Sequence, residues 1–181
     1  MPTPPEFNIE GKVFVVVGAG RGIGRGIAEV LAEAGCDGVL AAVTPTYVIA
    51  AAERIAKATG RRVTGVVADG TSTAAMDALV QQVLREYGTI DIWVNSVGDS
   101  LYASLVPLPQ PDGSMKPEAS LSDEEFRRIL DINLTSIHAG SRAIAPYFIE
   151  RRQGRIINIG SFFQRRGGAR RLSTYRRQDG R

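Results

Sequence analysis

The sequence predicts an α/β fold in which helices cover both faces of an open, doubly wound parallel sheet. Short apolar runs alternate with helical patterns along residues 11–161, which is the order of elements in such folds. The first apolar run contains no polar residue, as expected of a strand buried on both faces. The short connections suit strand–helix–strand units, which make neighbouring strands parallel. We expect five strands in the order 3-2-1-4-5.

The first half of the chain supplies three strands and three helices. Apolar residues at spacings of three and four define one face of the first helix, and Pro45 occupies a first-turn position of the second. Gly60 and Gly88 follow the second and third helices, where glycine commonly ends a helix. The predicted elements are strands at 13–17, 39–43 and 63–68 and helices at 22–34, 44–58 and 73–87.

The second half is less regular. Residues 99–120 hold four prolines and show no regular pattern, so they form either a surface loop or the rim of an active site. Ser122 and Glu125 have the spacing of a capping box. A helical pattern then continues to about Arg151, with a break near Asn133. The remaining predicted strands are 90–95 and 155–159.

The chain divides into a folded domain at 1–161 and an arginine-rich tail at 162–181. The tail holds seven arginines and one aspartate, whereas the folded domain holds 15 basic and 18 acidic residues. A nucleic-acid partner is therefore not implied by the folded domain. No apolar run approaches about 18 residues, no signal-peptide pattern opens the chain, and Cys36 has no second cysteine to pair with. We expect a cytoplasmic protein without a membrane partner.

The turn between the first strand and the first helix favours binding of a phosphate group. This glycine turn, residues 18–24, contains Gly18, Gly20, Gly22 and Gly24. Because they lack side chains, the backbone can turn sharply and a ligand can lie against it. The first amides of the following helix, at Gly22 and Ile23, would point at that ligand. The alternative is a tight strand-to-helix turn that binds nothing.

The glycine spacing G-x-x-x-G-x-G resembles the short-chain dehydrogenase/reductase family, which has a Rossmann-like fold. Val17 stands where that family usually has threonine. The resemblance implies a nicotinamide dinucleotide held by the glycine turn. It places Asp69 and Gly70 beside the adenine, although Asp69 has an alternative role as a helix cap. It also places Asn95 and Gly98, in a variant of the family's N-N-A-G segment, near the cofactor ribose.

Two further segments resemble the family's active site. Residues 131–135, D-I-N-L-T, are similar to the segment carrying the active-site asparagine, which implies that Asn133 holds a water of a proton relay. The fifth strand leads to Ser161, where the family has the serine that hydrogen-bonds the substrate carbonyl. Without the family resemblance, Asn133 would be interpreted as a residue that interrupts a helix and Ser161 as a turn residue. The implied activity is oxidoreduction of a small carbonyl or alcohol substrate, with no metal ion.

The end of the second strand favours NADP over NAD. Relatives that prefer NAD carry an acid there, which binds both ribose hydroxyls, whereas this chain has Ala42, Val43 and Thr44. Arg21 occupies a position where NADP-using relatives often have a basic residue, and Arg25 is a second cation nearby. Without an acid to repel it, and with one or two arginines to attract it, a 2′-phosphate would be bound favourably.

The resemblance weakens after Ser161. The family's reaction uses Tyr-x-x-x-Lys, in which the lysine stabilises the phenolate. Tyr175 lies within the range expected for that tyrosine, but Asp179 stands in place of the lysine. The family's last strands and substrate lid are also missing. We interpret residues 162–181 as the result of a truncation or a change of reading frame, and the alternative is a genuine tail that contacts an acidic partner or nucleic acid.

Three functions remain open. The favoured one is an NADP-dependent oxidoreductase of the short-chain dehydrogenase/reductase type, with low turnover because the lysine is absent. The second is a non-catalytic dinucleotide-binding remnant. The third and least favoured is a nucleic-acid binder acting through the basic tail. We also expect a homo-oligomer formed through the helix that ends near Arg151.

Overall fold

The computed structural model describes residues 8–101, 106 and 120–161. The strands within them are β1 Val13–Val17, β2 Asp37–Ala42, β3 Val63–Val67, β4 Ile92–Asn95 and β5 Arg155–Asn158. The helices are α1 Gly22–Glu33, α2 Pro45–Thr59, α3 Thr73–Tyr87, α4 Asp123–Leu130 and α5 Ser136–Arg151. The strands form one parallel sheet in the order β3-β2-β1-β4-β5, which confirms the predicted fold and strand order.

The helix ends follow the predicted caps. Gly60 and Gly88 adopt left-handed conformations, with φ of 69° and 77°, and their amides close the last turns of α2 and α3. Ser122 and Glu125 form the reciprocal capping box at the start of α4. The break near Asn133 is a π-helical turn, Asp131–Thr135, in which the Ser136 amide donates to the Asp131 carbonyl. Strand and helix boundaries differ from those predicted by at most two residues.

The sheet has an apolar layer on each face. All five residues of β1 are buried, as the unbroken valine-rich run predicted. One layer packs between the sheet and helices α3 and α5 and includes Val15, Trp93, Leu79, Ile144 and Phe148. The other packs against α1 and α2 and includes Phe14, Val16, Leu40, Ala28 and Ile55. In the described part of the chain, no helix has the length and hydropathy needed to cross a membrane.

A buried carboxylate joins three elements at the amino-terminal end of the sheet. Asp91 is 8% exposed and accepts a hydrogen bond of 3.0 Å from the Val13 amide. Arg151, at the end of α5, lies 3.3 Å from the same carboxylate, and Lys12 lies 3.9 Å from it. The two cations compensate the cost of burying the carboxylate. This cluster ties α5 to the first strand at the end of the sheet opposite the glycine turn.

β5 is far less covered than the central strands. All four of its residues are exposed, and Ile157 is 45% exposed. One edge of β5 pairs with β4, and no strand among the described residues pairs with the other edge. Within the described residues, β5 therefore lacks the cover that buries β1 on both faces.

Cys36 is a buried core residue. Its side chain is 0% exposed and its thiol donates to the Ile9 carbonyl at 3.1 Å. Burial raises the pKa of the Cys36 thiol from 9.0 to about 11. Since the thiolate is the reactive form, this environment favours the inert thiol.

We expect native Cys36 to react with an aromatic disulfide reagent at about pH 8 roughly a hundredfold more slowly than an ordinary thiol, because the raised pKa lowers its thiolate fraction. The folded state binds the Cys36 thiol proton more tightly than the unfolded state does. The free energy of unfolding therefore falls as the pH rises from 9.0 to about 11. Stopped-flow absorbance with and without urea measures the labelling rates. Equal rates for the native and unfolded chains would contradict the prediction.

Candidate functional site

The glycine turn is built by contact between the ends of β1 and β4. Gly18 has φ +85°, and a Cβ placed on it would lie 2.5 Å from the Ser96 carbonyl oxygen. Its amide donates to the Ala41 carbonyl at 2.8 Å, which fixes the turn against β2. Gly24 packs against the Gly18 carbonyl, again too closely for any Cβ. Both positions therefore require glycine for close backbone packing.

The amino terminus of α1 opens beside this turn. Gly22 begins the helix with φ +59°. In the part of the chain that the structure describes, no side chain caps this end, and the first turn contains no acidic residue. The side chain of Ile23 is 69% exposed. The first amides and the positive end of the helix dipole are consequently free to meet an anion.

The two arginines near the turn have different environments. Arg21 is exposed, and its side chain makes no hydrogen bond or ion pair with the rest of the described residues. Arg25 lies 3.5 Å from the Glu29 carboxylate, which also pairs with Arg54 of α2. The charge of Arg25 is thus partly compensated within the protein. Arg21 is the cation better placed to bind an external phosphate.

The start of α2 forms the other wall of the turn. A Cβ on Gly20 would lie 3.2 Å from the Tyr47 Cβ and 3.4 Å from the Ala42 Cβ. Thr44 is the N-cap residue of α2, and its half-buried side chain makes no capping hydrogen bond. Ala42 and Thr44 carry no charge, so the end of β2 presents no acid here.

The end of β3 is shaped by Asp69 and Gly70. Asp69 Oδ1 accepts from the Thr71 amide at 2.9 Å and from the Thr71 hydroxyl at 2.8 Å, which stabilises the turn into α3. The cap of α3 is Ser72, whose hydroxyl accepts from the Ala75 amide. A Cβ on Gly70 would lie 2.9 Å from a Val97 methyl group. Asp69 therefore shapes the turn rather than capping the helix, and Gly70 lets the ends of β3 and β4 meet.

Asn95 is a buried cross-link at the end of β4. Its Oδ1 accepts from the Trp93 indole at 2.8 Å. Its Nδ2 donates to the Ser141 hydroxyl at 3.1 Å and to Asn158 Oδ1 at 2.8 Å. These bonds join β4 to α5 and to β5. The side chain that the sequence assigned to cofactor binding has its hydrogen bonds directed to protein groups.

Asn133 lies in the π-helical turn beside the exit of β4. Its Oδ1 accepts from the Asp99 amide at 3.2 Å, and its Nδ2 donates to the Asp99 carbonyl at 3.0 Å and to the Ile129 carbonyl at 2.9 Å. A Cβ on Gly98 would lie 3.2 Å from Asn133 Oδ1. The structure thus brings together two predicted site residues from segments far apart in the sequence.

The remaining predicted residues lie beyond the regular elements. Ser161 is exposed and follows the end of β5. Tyr175 and Asp179, together with the rest of the arginine-rich tail, lie outside the described residues. Among the described residues, no group of three or more His, Cys, Asp or Glu side chains could hold a metal ion.

Ser96 and Val97 are further site residues that the sequence pattern did not indicate. They belong to the exit turn of β4, and they line Gly18 and Gly70 at the carboxyl ends of β1 and β3. Their position between Asn95 and Gly98 was visible in the sequence. Their contacts were not, because they depend on which strands are neighbours.

The comparisons with known proteins agree with this geometry. A family model described as short chain dehydrogenase matches residues 12–175. The 3-oxoacyl-[acyl-carrier-protein] reductase of Vibrio cholerae is 34% identical, over 90% of this chain and 60% of the relative. The 2-dehydro-3-deoxy-D-gluconate 5-dehydrogenase of Escherichia coli is 35% identical, over 91% of this chain and 59% of the relative.

A solved short chain dehydrogenase from Mycobacterium smegmatis has a similar structure. It superposes with a TM-score of 0.76 at 30% identity, over 89% of this chain and 62% of that protein. The chain therefore spans about three fifths of the length of the relatives it matches.

Proposed function

Because the chain belongs to the short-chain dehydrogenase/reductase family of oxidoreductases, we propose that it binds NADP at the glycine turn and takes a small carbonyl or alcohol compound as its substrate. The observation that carries the proposal is the uncapped amino terminus of α1, within the described residues, beside a turn whose glycines Gly18 and Gly24 leave no side chain in the way. Such an end binds a pyrophosphate through its amides and dipole.

The other site residues have complementary roles in this proposal. Asp69 uses Oδ1 for both hydrogen bonds with Thr71, so Oδ2 can accept a hydrogen bond from the adenine amine. Thr44 would offer its hydroxyl to the adenosine ribose, and Gly98, which lies against Asn133, would contact the nicotinamide half together with it. When bound, the nicotinamide supplies or accepts a hydride. Among this chain's residues, Ser161 would hydrogen-bond the substrate oxygen and Asn133 would hold a water.

We expect cofactor binding with little or no turnover. Tyr175 is the proposed proton donor, and Asp179 replaces the lysine that would stabilise its phenolate. Fluorescence titration with NADPH tests binding, and NADPH oxidation with a panel of ketones tests turnover. Binding without oxidation supports a non-catalytic remnant, whereas oxidation at the rate of a reductase that carries Tyr-x-x-x-Lys would contradict our expectation. Translating the coding DNA after codon 161 in three frames would show whether Tyr-x-x-x-Lys lies out of frame.

Replacing Arg21 by alanine should weaken NADPH binding by about threefold to tenfold and leave NADH binding unchanged, because the exposed guanidinium has no acidic partner among the described residues. Arg25→Ala is the matched control and should have a smaller effect, since Glu29 already pairs with Arg25. Titration of protein fluorescence with each cofactor gives the dissociation constants. Equal affinities of the unmodified protein for NADPH and NADH would contradict the NADP preference.

We further propose that two copies associate through the outer face of the helical segment 123–151. Phe126, Leu130 and Leu134 recur every four residues along it, and their side chains are 50%, 41% and 63% exposed. A second copy would bury this row in a self-complementary contact. Leu134→Lys should shift the sedimentation equilibrium toward the monomer. A monomeric unmodified protein would contradict the proposal.

A further inference from the structure

Asp99 lies at the exit of β4 and forms hydrogen bonds with two side chains and with one neighbouring backbone amide. Asn133 contacts both its backbone amide and its carbonyl. The Asp99 carboxylate accepts from the Ser100 amide at 2.8 Å through Oδ1 and from Arg128 Nη1 at 3.1 Å through Oδ2. Asp99, the residue that follows Gly98, is therefore held both through its backbone and through its side chain.

The Arg128–Asp99 pair differs from an ordinary surface pair on the same helix. It joins α4 to the β4 exit, 29 residues apart in sequence, and both side chains are about half exposed, at 49% and 48%. Arg127 instead pairs with Asp123 within α4 at 3.5 Å, and those side chains are 71% and 92% exposed. The first pair links α4 to the segment that contains Gly98, whereas the second spans one turn of a single helix.

We propose that Arg128 is a positioning residue for the nicotinamide end of the cofactor site. Its guanidinium holds the Asp99 carboxylate, and Asn133 holds the Asp99 backbone, so Gly98 keeps its place against Asn133. Both anchors of Asp99 come from one helical segment, with Arg128 in α4 and Asn133 in the π-helical turn. The inference rests on the proposed function, because it assigns Gly98 and Asn133 to the nicotinamide half.

The test compares two ligands that both bind in the adenosine half of the site, of which only NADPH also occupies the nicotinamide half. Arg128→Gln and Asp99→Asn should each weaken NADPH binding by about twofold to fivefold. Neither should change the binding of adenosine 2′,5′-bisphosphate, which lacks the nicotinamide. The double variant that exchanges the pair, Asp99→Arg with Arg128→Asp, should recover part of the affinity for NADPH. Arg127→Gln is the matched control and should leave NADPH binding unchanged. Equal losses for both ligands, or no loss for either, would overturn the proposal.

Hydrogen exchange of the full chain gives a second readout that needs no cofactor. The Asp99 and Ser100 amides should exchange several-fold faster in Arg128→Gln than in the unmodified protein or in Arg127→Gln, because their acceptors are then less firmly held. Unchanged exchange in this segment would refute the positioning role. If the unmodified protein binds neither ligand, the proposed function fails, and the exchange rates alone still decide the role of Arg128.

Discussion

Gly18→Ala is expected to destabilise the fold by about 2–5 kcal/mol and to abolish detectable NADPH binding. The new methyl group would meet the Ser96 carbonyl at 2.5 Å, and the backbone at φ +85° disfavours any L side chain. The left-handed conformation costs about 1–2 kcal/mol for a residue with a Cβ, and overpacking typically adds about 1–3 kcal/mol. Relieving the clash would separate the ends of β1 and β4, where the proposed pyrophosphate site lies.

The matched control is Gly26→Ala in α1, the helix that follows the turn. A Cβ on Gly26 has no neighbour within 4 Å, and its backbone is helical. Alanine there should raise the free energy of unfolding by about 0.5–1 kcal/mol and leave NADPH binding intact. Urea denaturation followed by circular dichroism, together with fluorescence titration, measures both variants. A Gly18→Ala protein as stable as the unmodified one would refute the close contact.

Asn95→Leu should lower the free energy of unfolding by about 3 kcal/mol. The substitution leaves the buried Trp93 indole without its acceptor and removes the amide bonds to Ser141 and Asn158. A buried donor without a partner costs about 1–3 kcal/mol, and the branched leucine would also crowd Gly140, which packs directly against the Asn95 amide. The effect should extend to β5, since the Asn158 contact joins that strand to β4.

Ser141→Ala is the graded comparison for Asn95→Leu. It removes one acceptor of the Asn95 amide and leaves the Trp93 and Asn158 bonds in place, so about 1 kcal/mol of destabilisation is expected. Guanidinium denaturation monitored by Trp93 fluorescence reports on both variants, because the indole lies at the altered contact. If Asn95→Leu cost no more than Ser141→Ala, the three-way cross-link would carry no special stability.

Local patterns in the sequence predicted most of the fold. The helix ends at Gly60 and Gly88 and the capping box at Ser122 are confirmed because each depends on residues a few positions apart. The valine-rich run predicted the burial of β1 for a similar reason, since a strand covered on both faces needs no polar alternation. The strand order was expected from the doubly wound fold class as a whole and not from any local pattern.

The site was predictable only in part, because its contacts join distant segments. The glycine spacing indicated the turn, but it did not reveal that Gly18 lies against Ser96. The family resemblance points to Asn133, while its two contacts with Asp99 depend on how the π-helical turn is placed beside the exit of β4. The burial of Asp91 with Arg151 was missed because those residues are 60 apart in sequence and meet only after folding.

The π-helical turn at Asp131–Thr135 makes the helical segment behave as if it carried one inserted residue. An α-helix advances about 100° per residue, so the wider turn gives α4 a different rotational phase from α5. Deleting Leu134, an exposed residue of the turn, would let one regular helix run through the segment. It would also rotate Arg128 and Asn133 away from Asp99 by about that angle. A single-codon deletion would thus make the helix more regular and misalign the site.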